Sequence, residues 1–258
     1  MLIEIVLFAL FGLAFGSFSN VLIYRLPRNI SIGLSRSRCN DCGTQIKFYD
    51  NIPVLSFLLL GGKCRSCGKR ISLRYPLVEI FVCFLWIIPI LLGQPMPQAL
   101  VSALFTTALA VIAIVDFEHL IVPDSMVITI AALSIPGFVL QFPPRWTDRL
   151  IGGFAAGAFF YLLAILSEKV LKKEGMGGGD IKLVAAAGLV LGWQLSALSI
   201  GLSAVTALVM IVLMKFSGHK LNEDKQLPFA PALTVAMAVS HYFGAGMVQW
   251  YLNSFIGW

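Results

Sequence analysis

The sequence predicts an all-α polytopic membrane protein of about eight transmembrane helices with a small cytoplasmic four-cysteine zinc loop. Three observations predict it. Of 258 residues, 58% are hydrophobic and only 12% charged, with a mean hydropathy of +0.87, whereas soluble domains hold about 45–50% apolar residues. The apolar residues gather in runs near the ~20 needed to cross a bilayer. The one sizeable polar stretch, residues 25–75, surrounds four cysteines.

The first run, residues 2–24, carries Glu4 rather than a basic start and has its positive charge after it. That marks a retained helix rather than a secretory signal peptide. Further spans are expected near 76–93, 98–115, 125–142, 149–168, 181–197, 198–215 and 229–254. Gly192-Trp193-Gln194 offers the break between the sixth and seventh. One long helix is the alternative there, but Ile181 to Lys215 is roughly twice one crossing, which favours two. The chain thus divides into a first helix (1–24), a polar loop (25–75) and a multi-helix membrane region (76–258).

With the amino terminus outside, all of the 19 lysines and arginines except Arg145 and Arg149 fall on the inner side. They include Arg25, Arg36 and Arg74 of the loop, then Lys169, Lys172, Lys173 and Lys182, then Lys215, Lys220 and Lys225. This satisfies the positive-inside rule and places the loop in the cytoplasm. The net charge of +6 then reflects attraction to anionic membrane lipid, and no nucleic-acid partner is needed to explain it.

In the loop, Cys39-x-x-Cys42 is followed by Cys64-x-x-Cys67, and each pair precedes a glycine, Gly43 or Gly68. Glycine lets the backbone turn so that amides point at sulfur. Four thiolates at this spacing suit a structural Zn²⁺, in a loop too small to build a core without a staple. Two disulfides are the alternative, disfavoured in a reducing compartment. Cys83, inside an apolar run, reads as a small buried residue.

Two acids end apolar segments, where a bilayer makes an idle charge costly. Asp116 follows the run Ala99–Val115, and Asp180 follows Gly175-Met176-Gly177-Gly178-Gly179. Peptide hydrolysis by carboxylates needs an ionised and a protonated group bracketing a water, and two close acids sharing one proton supply both. The pattern is that of a membrane aspartyl protease with Asp116 and Asp180 as the catalytic pair. Gly177, Gly178 and Gly179 leave room for a substrate backbone and allow positive φ, and a helix start favours negative charge at Asp180. The alternatives are a helix N-cap at Asp180 and an interfacial helix-end acid at Asp116. Asp124, after Pro123, reads as the N-cap of the fourth helix. Glu118 and His119 read as solvent-accessible loop residues, and Lys182 as a neutraliser of nearby charge or lipid phosphate.

At these residues the sequence resembles the type IV prepilin peptidases over nearly its whole length. The likeness lies in Gly16-Ser17-Phe18-Ser19-Asn20-Val21-Leu22-Ile23-Tyr24-Arg25-Leu26-Pro27, the two cysteine pairs and Ile71-Ser72-Leu73-Arg74-Tyr75-Pro76-Leu77-Val78-Glu79. It continues through Asp116 to Asp124, the glycine-aspartate motif and Leu227-Pro228-Phe229-Ala230-Pro231. Ser19 and Ala230 depart mildly from the usual leucine and glycine.

The resemblance implies that Asp116 and Asp180 are catalytic and Asp124 is not. It implies cleavage of prepilins or pseudopilins of type IV pilus or type II secretion systems, after a glycine that ends a basic leader and precedes a hydrophobic helix. The implied place is the cytoplasmic face of the bacterial inner membrane. It further implies N-methylation of the new terminus with S-adenosylmethionine, in association with residues 25–75, and makes 76–258 the aspartyl peptidase domain. No glycine-rich Rossmann loop follows a strand, so methyl transfer rests on the resemblance alone. Glu79, a carboxylate just inside a helix, is its candidate residue; a first-turn glutamate favoured by the helix dipole is the alternative. Other readings are a glycine-x-glycine-aspartate intramembrane protease, against which the cysteine loop argues, and a non-enzymatic scaffold or metal transporter. A transporter should carry charges or broken helices near the midplane.

Overall fold

The computed structural model describes residues 1–33, 37–171, 177–216 and 227–255. Arg36, Lys172, Lys173, Gly175, Met176, Lys220 and Lys225, which entered the expectations above, lie outside the described residues. Among the described residues there is no strand, only two isolated bridges, Arg38 with Gln45 and Lys63 with Arg70. Six helices among the described residues are long and apolar enough to cross a membrane, so the chain is a multi-pass, all-α membrane protein. It divides into two compact units, Met1–Thr107 and Ala108–Trp258.

The first unit holds α1 (Leu2–Arg25), α2 (Leu55–Leu59), α3 (Arg74–Leu91) and the start of α4 (Met96–His119). α1 lies against α3 through small residues: a Cβ at Gly12 would come within 2.8 Å of Cys83 Cα, and one at Gly16 within 2.6 Å of Glu79 Cα. Such close backbone approach is how helices associate where lipid offers no hydrophobic drive. Trp86 is buried against Phe8, Phe11 and Phe15 and donates its Nε1–H to Thr107 Oγ1 at 3.0 Å. Cys83 is half-buried, with Sγ 3.5 Å from Ala9 O.

The second unit holds the end of α4, α5 (Asp124–Ala132), α6 (Ile135–Val139), α7 (Trp146–Leu171), α8 (Gly178–Phe216) and α9 (Ala230–Phe255). Two spans differ from expectation. The one expected near 125–142 is the pair α5 and α6, too short for a crossing of the usual length; Pro136 opens α6 and cannot donate the amide that would continue α5. In α8 the backbone leaves the helix at Gly192, with φ 75° and ψ 170°, at the break that Gly192-Trp193-Gln194 offered and a few residues before the expected end of the sixth span at 197. A straight helix of 39 residues would measure about 58 Å, nearly twice the ~30 Å bilayer core. Segments 178–191 and 193–216 are therefore separate stretches of helix.

Arg149 explains how the break is tolerated. Its Nη1 donates to Leu189 O and Val190 O at 3.2 and 3.1 Å, carbonyls whose helical partners lie beyond Gly192. Its Nε and Nη2 donate to Pro144, Phe142 and Pro143 carbonyls. The charge pattern expected Arg149 at an outer boundary; the structure buries it at 4% exposure.

Candidate active site and cysteine cluster

Asp116 and Asp180 both belong to the second unit, and the fold brings them together. α4 runs to His119, four residues past the expected span, so Asp116 sits in its last turn, 6% exposed. Glu118 and His119 are consequently helical rather than loop residues, Glu118 solvent-exposed as expected and His119 half-buried, with Glu118 Oε2 3.8 Å from His119 Nε2. Asp180 lies in the first turn of α8, 9% exposed, and its amide donates to Gly177 O at 3.1 Å. The two carboxylates lie within direct electrostatic range of each other.

A third group was not expected at all. The Ala230 amide, at the start of α9, donates to Asp116 Oδ2 at 3.1 Å. The first amides of a helix lack intrahelical acceptors, and the carboxylate takes one of them. The signal in the sequence was Pro231, a residue suited to the first turn, but nothing local said which acid that amide would meet.

The glycine run serves differently from expectation. Gly177, Gly178 and Gly179 have no positive φ, because the helix has already begun at Gly178. Gly179 is required by contact instead: a Cβ there would come within 2.8 Å of Val122 Cβ. At Gly177 a Cβ would stand 3.5 Å from Asp180 Oδ2, and at Gly178 it would meet open space. These positions keep the approach to Asp180 clear. Asp124 does not cap its helix; Pro123 holds the cap position, and the exposed Asp124 carboxylate pairs with Lys182 Nζ at 2.9 Å.

In the first unit the four cysteines converge. Their sulfurs all lie within 4.8 Å of one another, and Cys39 and Cys67 Sγ are 4.0 Å apart. A tetrahedron with metal–sulfur bonds of about 2.3 Å has edges of about 3.8 Å, so the set can hold one metal ion; a disulfide would require sulfurs about 2 Å apart. The two knuckles repeat each other. Cys39 N donates to Thr44 O and Gly43 N to Cys39 O, both at 2.9 Å; Cys64 N donates to Lys69 O at 2.8 Å and Gly68 N to Cys64 O at 2.9 Å. Gly43 and Gly68 share φ 69°, the left-handed turn glycine permits. Contact with the Thr44 hydroxyl and amide holds the Cys42 thiol down at about 6. The Cys67 and Ser66 amides lower Cys64, so backbone donors do point at sulfur.

Glu79 lies in the second turn of α3, past the reach of a first-turn dipole contact, because that helix starts at Arg74. It is 8% exposed, and Oε2 accepts from the Val54 amide at 2.7 Å.

Comparison with known proteins matches residues 10–92 to the Bacterial Peptidase A24 N-terminal domain and residues 103–212 to the type IV leader peptidase family. The chain is 31% identical over 272 residues to a prepilin leader peptidase/N-methyltransferase of Aeromonas hydrophila, covering 96% of this chain and 93% of the relative. The chain belongs to the type IV leader peptidase family. Proteins of the same description in Vibrio cholerae serotype O1 and Bacillus subtilis are 36% and 30% identical, covering 92% and 96% of this chain and 96% and 98% of theirs. No solved structure matches the chain. The family's peptidase match spans both Asp116 and Asp180, and its N-terminal match spans the four cysteines and Glu79.

Proposed function

We propose that this protein removes the basic leader of prepilins or pseudopilins after a glycine, at the cytoplasmic face of the bacterial inner membrane, and then methylates the new amino terminus. One observation carries the peptidase assignment: two buried carboxyl groups, from the ends of two apolar helices, lie within each other's field beside a clear glycine approach. Two like charges so placed hold one proton between them rather than none. The ionised member takes a proton from the attacking water while the protonated one polarises the scissile carbonyl. Asp116 keeps its orientation through the Ala230 amide, and Asp180 through the turn closed on Gly177.

The boundary position suits the substrate. A hydrophobic pilin helix remains among apolar spans while its basic leader stays on the side richer in lysine and arginine. Cys39, Cys42, Cys64 and Cys67 hold a structural Zn²⁺, which closes a loop without a core of its own. Residues 76–258 carry the peptidase, and residues 25–75, with Glu79 at their helical edge, carry methyl transfer from S-adenosylmethionine.

The deciding experiment uses membranes bearing wild type, Asp116→Asn or Asp180→Asn, incubated with a peptide of basic leader, glycine-phenylalanine and hydrophobic helix, and read by mass spectrometry. Wild type alone should cut after glycine, and S-adenosylmethionine should add about 14 Da, one methylene's mass, to the product. Cleavage by either Asn variant at the wild-type rate would remove that aspartate from the reaction.

A further inference from the structure

A cavity of about 990 Å³ opens in the first unit, at the upper end of the ~300–1,000 Å³ of small-molecule sites. Ser17 and Asn20 of α1 line one side, Tyr75 and Glu79 of α3 another, and the cysteine loop the rest. Neither Asp116 nor Asp180 lines it, so the peptidase chemistry does not account for it.

The charge in its wall is unevenly spread: Arg25, Arg38, Lys47, Arg65, Lys69 and Arg70 outnumber Asp41, Asp50 and Glu79. Of its acids, Asp41 pairs with Lys69 at 2.9 Å and Asp50 with Arg65 at 2.7 Å. Glu79 instead accepts from neutral donors, the Val54 amide at 2.7 Å and the Ser17 hydroxyl. No ion pair to Glu79 is found among the described residues. Val54 itself is a β-branched residue held at φ 61° and ψ −48°, a conformation found where surrounding structure enforces it for a purpose. Here it aims an amide at the carboxylate.

Asn20 adds an independent observation. It is 4% exposed, and its Nδ2 donates to Tyr75 O at 3.1 Å and to Gly16 O at 3.4 Å. Its Oδ1 is buried with no donor among the described residues. Buried carbonyl oxygens rarely stay without a donor, and this one belongs to a residue of the cavity wall.

We propose that this cavity is the S-adenosylmethionine site, with Glu79 matching the sulfonium cation and Asn20 Oδ1 accepting from a ligand N–H. The inference rests on the methyl-transfer reading above. When bound, the donor supplies a methyl group: the terminal ammonium gives a proton to water, the freed nitrogen lone pair bonds the methyl carbon, and the carbon–sulfur pair stays on sulfur as a thioether. Glu79 and Asn20 bind and orient. The charge of Glu79 distinguishes the sulfonium donor from its thioether product, S-adenosylhomocysteine, whereas Asn20 serves both.

The test is calorimetric titration of both compounds into the full chain, metal-loaded, in lipid nanodiscs, with leader cleavage as the folding control. Wild type should bind the sulfonium more tightly than the thioether. Glu79→Gln keeps an acceptor for Val54 but loses the charge; it should weaken the sulfonium about tenfold and the thioether by less than about twofold. Asn20→Ala should weaken both by about tenfold. If wild type binds and methylates but both variants bind like it, the donor sits elsewhere and the site is overturned. Equal loss of both ligands in Glu79→Gln would overturn the recognition of charge. If wild type neither binds the donor nor methylates a prepilin peptide, the methyl-transfer reading falls too. Photocrosslinking of radiolabelled donor to wild type needs no variant: label on residues 17–79 supports the site, and label confined to Ala108–Trp258 overturns it.

Discussion

The cysteine knuckles and the aspartate pair reach their geometry by different routes. Each knuckle is a local turn of a few residues, closed by its own backbone hydrogen bonds and a glycine at φ 69°. Two copies then face each other across four sulfurs, with Cys42 and Cys67 exposed and Cys39 and Cys64 half-buried. The aspartates are 64 positions apart in sequence, buried, and positioned by helix ends that meet only in the folded unit, with Ala230 contributing its amide from a third helix. A locally encoded site tolerates changes elsewhere in the chain. A site made from helix ends is sensitive to any shift in packing.

The largest expected effect separates the two. Replacing Cys39 and Cys64 together by serine should abolish stoichiometric zinc, measured by atomic emission, and reduce methyl transfer, because the same loop walls the cavity at Glu79. Leader cleavage should stay within about threefold, since neither aspartate nor the groups that hold them, Ala230 and Gly177, belong to that loop. Asp180→Asn should do the reverse, keeping zinc while losing about 10³-fold or more in cleavage rate, the scale of an acid–base group. Should both activities fall together in the cysteine variant, the two sites are not separable and the contrast breaks.

Next in size is Ala230→Pro, which deletes one hydrogen-bond donor at a helix start where proline is otherwise accepted. A buried charged acceptor losing its donor costs about 1–3 kcal/mol. Cleavage should fall about tenfold or more, with protein level and zinc content unchanged on a quantitative blot and by metal analysis. Gly179→Ala probes the same packing more gently. Its new methyl group would meet Val122 Cβ, so cleavage should drop several-fold, and Val122→Gly in the same chain should restore part of it. A second-site change that recovers nothing would place the defect outside that contact.

The smallest effect sharpens the cysteine side. In metal-stripped protein the Cys42 thiol, held at about 6 by Thr44, is mostly thiolate at neutral pH, while Cys67 is pushed up to about 11. The lower value means Cys42 loses thiolate only as pH falls through about 6; the higher one means Cys67 gains it only in strong alkali. Iodoacetamide at pH 7 should therefore label Cys42 first, and Thr44→Val should slow that labelling. Mass spectrometry of the alkylated peptides checks the order.

Much of this protein is determined by sequence alone, for physical reasons that can be named. Apolar runs interrupted by charge fix the helices, because lipid leaves backbone groups no partner outside a helix. The Cys-x-x-Cys-Gly repeats fix the knuckles, because every bond that shapes them spans a few residues. Asp116 and Asp180 stood out as acids at the ends of apolar stretches. What the sequence did not contain is distance between elements. Tertiary structure alone decided how the break at Gly192 is satisfied, with Arg149 from α7 collecting the released carbonyls. It alone brought Ala230 to Asp116, pressed Gly179 on Val122, and set Glu79 against Val54. Those are contacts between segments far apart in the chain, and a residue's own neighbours in sequence carry no force that selects them; only the packing of whole helices does.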